Sequence, residues 1–292
     1  MAKTVLITGS STGFGRDTAE ALARSGYRVF ASMRATEAKN REHAETLRNL
    51  ASAEALNLEI VDLDVTRSDS VERAVASVLE KAGRIDVLVN NAGIASAGIS
   101  EAFTVDQAQA VFDINVFGIL RVTRAVLPSM RRQRDGLIIN VGSILGRVTF
   151  PFFGIYGASK FAVEALTESF RYELSQLGVD VVLVQPSAYP TPMYSTVQRP
   201  RDGHRSDEYG HISQIPDQLF AHFAKAFEAP NAPNPREVAE AIVGLIAQSK
   251  GTRPVRTVVG APFGADLVNA QVAPVQGQVV EALGLGKLSE IV

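Results

Sequence analysis

Residues 5–15 read Val5-Leu6-Ile7-Thr8-Gly9-Ser10-Ser11-Thr12-Gly13-Phe14-Gly15. Three branched apolar residues in a row predict a short buried strand. The glycines after them predict a tight turn into a helix over 13–25. Glycines let the backbone approach a phosphate closely. The helix N-terminus then offers unpaired N–H groups and the positive end of its dipole to the anion. Gly9, Ser11, Gly13, Phe14 and Gly15 are therefore candidate cofactor-binding residues. The glycine spacing is G-x-x-x-G-x-G rather than G-x-G-x-x-G. Alone, such a turn is also what a plain strand–helix connection looks like, so the chain around it decides.

Around it, short apolar runs alternate with longer helical patterns. Strands are predicted at 5–7, 28–31, 58–61, 87–89, 137–139, 181–184 and 256–259. Several of these runs are continuously apolar, as strands covered on both faces are. Helices are predicted over 13–25, 37–54, 69–81, 104–133 and 156–177, with a kink or stop at Pro128. Thr104-Val105-Asp106-Gln107 reads as a capping box, Gly26 as a helix stop, and Asn234-Pro235-Arg236-Glu237 as a helix start. Strand and helix in alternation predict an α/β doubly wound, Rossmann-type parallel sheet. The whole chain, 1–292, reads as one domain with a core over about 3–188. A proline-rich excursion over about 189–235 is long enough to be a substrate lid. Residues 236–292 supply a helix, the last strand and a weakly patterned apolar tail.

Composition narrows the class. The 292 residues are 46% hydrophobic and 21% charged, with 29 Lys and Arg against 31 Asp and Glu. No clustered basic face suggests a nucleic-acid partner. With no cysteine, disulfides, a thiol nucleophile and zinc–thiolate sites are excluded. His204, His211 and His222 match no zinc spacing, so no metal is expected. No stretch has the length of a signal-peptide core or a spanning helix, so the expectation is a cytoplasmic protein without a membrane partner.

The second strand should end beside the adenosine ribose. A carboxylate there would bind the ribose 2′-hydroxyl of NAD. This chain has Met33 followed by Arg34, whose planar fork suits a 2′-phosphate. NADP(H) is therefore expected over NAD(H), unless Arg34 is only a solvated loop residue. Asp64, with Val65, closes the third strand, where its carboxylate bonds the adenine amine or caps the next turn. Asn91, Ala92 and Gly93 close the fourth, where small residues let a cofactor pass over the sheet. Tyr156 and Lys160 stand four residues apart, on one helix face, with Ser143 thirteen residues before Tyr156. An ammonium beside a phenol favours phenolate and brings a proton donor or acceptor toward working range.

Together these pieces resemble the classical short-chain dehydrogenase/reductase family. They are Thr8-Gly9 to Gly15, Asn90-Asn91-Ala92-Gly93, Asn115, Ser143, Tyr156-Gly157-Ala158-Ser159-Lys160, and Pro186 with Thr191, in order over about residues 3–192. The resemblance implies a seven-stranded parallel sheet and hydride transfer between a nicotinamide cofactor and a ketone or secondary alcohol. It implies that Ser143 binds the substrate oxygen, Tyr156 transfers the proton, Lys160 holds the nicotinamide ribose and lowers the Tyr156 pKa, Asn115 supports a proton relay, and Pro186 and Thr191 meet the nicotinamide. It also implies a homodimer or homotetramer built through the 104–133 and 156–177 helices. Ser187 stands where the family usually has glycine. Phe30-Ala31-Ser32-Met33-Arg34 and residues 127–174 are similar to the hydroxysteroid and retinol dehydrogenase branch, which implies a bulky apolar substrate. Two other readings of the same fold remain: an epimerase or dehydratase with tightly held NAD, and a cofactor-sensing regulator without turnover.

Overall fold

The seven branched runs become seven strands. In the computed structural model, which describes residues 2–292, these are β1 (Thr4–Ile7), β2 (Arg28–Met33), β3 (Leu58–Asp62), β4 (Val87–Asn90), β5 (Gly136–Val141), β6 (Val179–Pro186) and β7 (Arg256–Val259). They form one parallel sheet in the order β3-β2-β1-β4-β5-β6-β7. The order reverses between β1 and β4, and a crevice opens at the carboxyl ends of strands where that happens.

Helices cover both faces. They are α1 (Gly13–Arg24), α2 (Arg41–Ala53), α3 (Ser68–Ala82), α4 (Val105–Phe112), α5 (Gly118–Gln133), α6 (Gly154–Ser175), α7 (Gly203–Asp207), α8 (Ile215–Phe227), α9 (Arg236–Ala247) and α10 (Ala265–Ala282). Side chains alternate sides along a strand, so neighbouring residues feed two different cores. Val5, Ile7, Val29, Ala31, Val87 and Val89 pack with α1, α2 and α9. Leu6, Phe30, Leu88, Ile138, Val179 and Val181 pack with α3, α5 and α6. Burial on both faces is why these strands read as unbroken apolar runs.

The local signals act as read. Thr104 accepts from the Gln107 backbone while the Gln107 side chain accepts from the Thr104 N–H. Gly26 N–H donates to Ala23 and Tyr27 N–H to Leu22, closing α1. Asn234 Oδ1 accepts from Arg236 N–H at the start of α9. Three readings change. Pro128 does not end its helix, for α5 runs on to Gln133. The missing hydrogen bond costs about 3 kcal/mol. Burying Val122, Val126, Leu127 and Met130 outweighs it, at about 1.5–3 kcal/mol for each large apolar side chain. The weakly patterned tail is the 18-residue helix α10. Tyr189 lies in the core, not on a lid, at 1% exposure, edge-on to Phe14 and donating to Glu237.

Candidate active site

The first glycine turn is seated against the end of β4. Gly9 has φ +70°, and a Cβ there would fall 2.7 Å from Ala92 Cα. A Cβ at Gly15 would collide with Asn91 Nδ2 and the Gly9 carbonyl. Asn91 Nδ2 donates to the Thr8 and Gly9 carbonyls at 2.9 and 3.0 Å, and Thr8 Oγ1 accepts from the Asn91 and Ala92 N–H groups. Asn90 ties β4 to β5 by donating to Asn140 Oδ1 at 2.9 Å. The asparagines thus serve the scaffold, while Asn91 also faces the crevice.

That crevice is a cleft of about 650 Å³. Gly9, Ser11, Gly13 and Phe14 line its floor, and Ala92 and Gly93 its inner wall. Asp64 and Val65 line it after β3, and Arg34, also in its lining, is exposed and forms no ion pair among the described residues. Asp64 does what one reading of it required: its Oδ1 accepts from Thr66 N–H and Oγ1 at 2.9 and 2.7 Å, capping the turn. Gly15 and Asn115 lie behind the walls. Among the cleft residues not singled out from the sequence are Lys39, Asn40 and His43. The signal was there, a lysine and a histidine four residues apart. The helix was expected from residue 37, whereas α2 starts at Arg41 and residues 35–40 turn across the cleft mouth. A cleft of this size fits a dinucleotide, with side-chain-free turns where backbone must meet phosphate and cations in its lining.

A second, apolar pocket adjoins the cleft. Phe14, Asn91, Gly93, Thr191 and Met193 line both. Ser143, Tyr156 and Lys160, 13 and 4 residues apart in the chain, meet in its lining, and Pro186 and Ser187, at the end of the neighbouring strand β6, line it too. Ser143 begins a 3₁₀ turn after β5, and α6 carries the other two. Ser143 Oγ accepts from Leu145 N–H at 3.1 Å, and the Ser143 hydroxyl lies near enough to the Tyr156 phenol to bear on its titration. Lys160 Nζ donates to the Val141 carbonyl at 3.0 Å and lies 5.6 Å from the Tyr156 ring centre. Burial holds the Tyr156 phenol up at about 12, and the Ser143 hydroxyl opposes this. Burial also depresses the Lys160 ammonium to about 8. The expected pull of Lys160 on the phenol is therefore not what sets its titration; loss of water is. Asn115 sits in a five-residue π-helical turn, Asp113–Phe117, a feature common at functional sites. It accepts from Ile94 N–H and donates to Ile94 O and Ser159 Oγ, and Ser159 Oγ donates to the Tyr156 carbonyl.

Aromatic side chains roof this pocket. Tyr194 packs edge-on against Phe220, Phe223 and Phe227 of α8, and Phe153 stacks on Phe220. Phe153 also lines the pocket, whereas its neighbour Phe152, at φ +68°, does not. The enclosed space is about 100 Å³. Among the described residues no three His, Asp or Glu side chains cluster as a metal site, and no helix is long and apolar enough to cross a membrane.

Residues 3–202 match the family model described as short chain dehydrogenase. A 3-ketodihydrosphingosine reductase from Bacteroides thetaiotaomicron is 34% identical over 88% of this chain and 87% of its own length. Human retinol dehydrogenase 8 is 34% identical over 85% of this chain and 79% of its own. Among solved structures, a short-chain dehydrogenase from Streptomyces avermitilis is 30% identical, covers 98% of both chains and superposes with a TM-score of 0.76.

Proposed function

This chain belongs to the short-chain dehydrogenase family, an oxidoreductase acting on alcohol and ketone groups, and we propose that it reduces an apolar ketone with a preference for NADPH. The observation that carries this reading is the convergence of Ser143, Tyr156 and Lys160 on one wall of an apolar pocket that opens into the cofactor-sized cleft. The nicotinamide, when bound, supplies the hydride in reduction and accepts it in oxidation. This chain's residues handle the oxygen and its proton. Ser143 hydrogen-bonds the carbonyl oxygen. The Tyr156 phenol, which burial keeps protonated well above neutral pH, donates its proton to that oxygen as negative charge develops there. Lys160, whose ammonium donates to the Val141 carbonyl in the pocket wall, would hold the nicotinamide ribose. The aromatic roof excludes water from these groups.

Apart from Lys160, which this reading assigns to the nicotinamide ribose, the pocket lining has no charged side chain among the described residues, so none is left to fix a carboxylate or phosphate on the substrate. The likeness to 3-ketodihydrosphingosine reductase and retinol dehydrogenase 8 supports an apolar substrate of appreciable length. Arg34, together with Lys39 and His43, supports the NADPH preference, as does the absence of an acid at Met33. Exposed Phe117 beside α5 and Phe161 on α6 support self-association through those helices. The test is a panel of apolar and carboxylate-bearing ketones offered with NADPH and with NADH, followed by the absorbance of the reduced nicotinamide. Turnover of the apolar ketones with NADPH is expected. Turnover confined to charged ketones would remove the substrate reading.

A further inference from the structure

Tyr156, Lys160 and Glu164 follow one another at four-residue intervals along α6. The first two face the pocket. Glu164 is turned away from it, its side chain 6% exposed, into a buried polar cluster. Its Oε2 accepts from Arg256 Nε of β7 at 2.7 Å and lies 3.3 Å from Arg147 Nε. Its Oε1 accepts from Gln185 Nε2 of β6. Asn269 of α10 closes the ring, accepting from Arg147 Nε at 2.9 Å and donating to Gln185 Oε1 at 2.7 Å. Glu168, one turn along α6, pairs with Arg256 at 3.0 Å.

Two partners of this carboxylate sit next to pocket residues. Arg147 closes the 3₁₀ turn that begins at Ser143, donating its N–H to Ile144 O at 2.9 Å. That turn is pressed onto α6: a Cβ at Gly146 would fall 2.9 Å from Lys160 O and 3.0 Å from Glu164 Cγ. Gln185 directly precedes Pro186 and Ser187, which also line the pocket. One carboxylate therefore joins the helix that carries Tyr156 to the turn that carries Ser143 and to the β6 end that carries Pro186 and Ser187. A neutral amide at 164 would accept hydrogen bonds, but would leave two buried guanidinium groups sharing Glu168 alone.

We infer that Glu164 is a positioning residue that holds the Ser143 hydroxyl beside the Tyr156 phenol, and that Asn269 extends this clamp to the C-terminal helix. The inference rests on the proposed function, in which those two hydroxyls meet the substrate oxygen. Tyr156 itself is faced by Lys160 from its own helix and by Tyr194 from the roof, and neither touches the cluster.

The test uses the full-length protein with tyrosine labelled with carbon-13 at Cζ, a position sensitive to hydrogen bonding at the phenol. Tyr156→Phe assigns the resonance, and Ser143→Ala gives its position once the Ser143 hydroxyl is gone. Glu164→Gln should move the Tyr156 signal toward the Ser143→Ala position, and Asn269→Ala should move it the same way by less. In kinetics, Glu164→Gln should lower kcat about 10–100-fold while the cofactor KM stays put, as small misplacements at a reacting centre do. A Glu164→Gln protein with a lower melting temperature but an unmoved Tyr156 signal would show a carboxylate that only stabilises the fold, and would overturn the inference. Should Glu164→Gln fail to fold, Asn269→Ala decides alone, since it keeps every Arg–Glu pair: a shifted signal supports the clamp and an unmoved one overturns it. The resonance is read without turnover. A protein that reduces no ketone would therefore refute the proposed function and leave this result standing.

Discussion

The Lys160 ammonium lies 5.6 Å from the centre of the Tyr156 ring and gives its hydrogen bond to the Val141 carbonyl. The two groups share a wall without pairing head to head, and each titrates as burial dictates. The phenol is raised to about 12 and the ammonium lowered to about 8. Both shifts disfavour the charged form.

Tyr156→Phe should cost about 10²–10⁴-fold in kcat and leave cofactor affinity near that of the parent, because the phenol's task is proton transfer. The pH dependence follows from the raised phenol. Reduction needs the protonated form, which is present throughout the neutral range and is lost only as pH climbs toward 12. Oxidation needs the phenolate, so its rate should rise with pH across the same range. Initial rates in both directions against pH check the sign. An oxidation rate that falls steadily above neutrality would exclude Tyr156 as the base.

Arg34→Ala should weaken NADPH much more than NADH. Charge-assisted hydrogen bonds are worth about 1.5–3 kcal/mol, or roughly 10–100-fold, and Arg34 is exposed, which puts the effect at the lower end. Lys39 lines the same cleft, so Arg34→Ala with Lys39→Ala should lose more than either alone. Met33→Asp should add repulsion toward a 2′-phosphate and a partner for the NAD ribose. Kd values for both cofactors on these variants decide the matter. If all of them keep the parent's ratio, the cofactor preference lies elsewhere.

Phe223→Ala should enlarge the pocket where Tyr194 and Phe227 now pack against the ring. The enclosed space of about 100 Å³ is small for a bulky ketone, so trimming the roof should raise kcat/KM for larger ketones relative to smaller ones. NADPH affinity should not change. Equal losses for every ketone, accompanied by a lower melting temperature, would mean that these rings merely hold α8 in place.

Asp180→Ala should destabilise the fold by about 3–5 kcal/mol. Asp180 is fully buried at the start of β6, between Arg171 of α6 and Arg253, which it meets at 2.9 Å. Removing it leaves two buried guanidinium groups facing each other. Arg253 also caps α9 through the Leu245 and Gln248 carbonyls, so the loss should spread to that helix. Denaturant unfolding measures the change. A difference under about 1 kcal/mol would show that water reaches the site once the carboxylate is gone.

Much of this molecule was legible in one dimension, because its strongest features are local. Val5-Leu6-Ile7 and the apolar runs of β4, β5 and β6 announce strands buried on two sides, since a strand with one wet face would alternate. Gly9 must be glycine because its φ is positive and Ala92 lies against it; the turn chemistry shows in the sequence even though Ala92 does not. Tyr156 and Lys160 share a face because a helix repeats every 3.6 residues. What needed the tertiary structure is whatever depends on residues far apart in the chain. Ser143 meets Tyr156 only because β5 and α6 pack together. Lys39 and His43 reach the cleft only because α2 starts four residues later than its composition suggests. α10 has a faint pattern because little of it is buried, Ala265 and Val280 being its buried residues. The directions in which the Tyr156 and Lys160 titrations shift turned on burial. Burial is summed over every element around the pair, and no spacing along the chain encodes that sum.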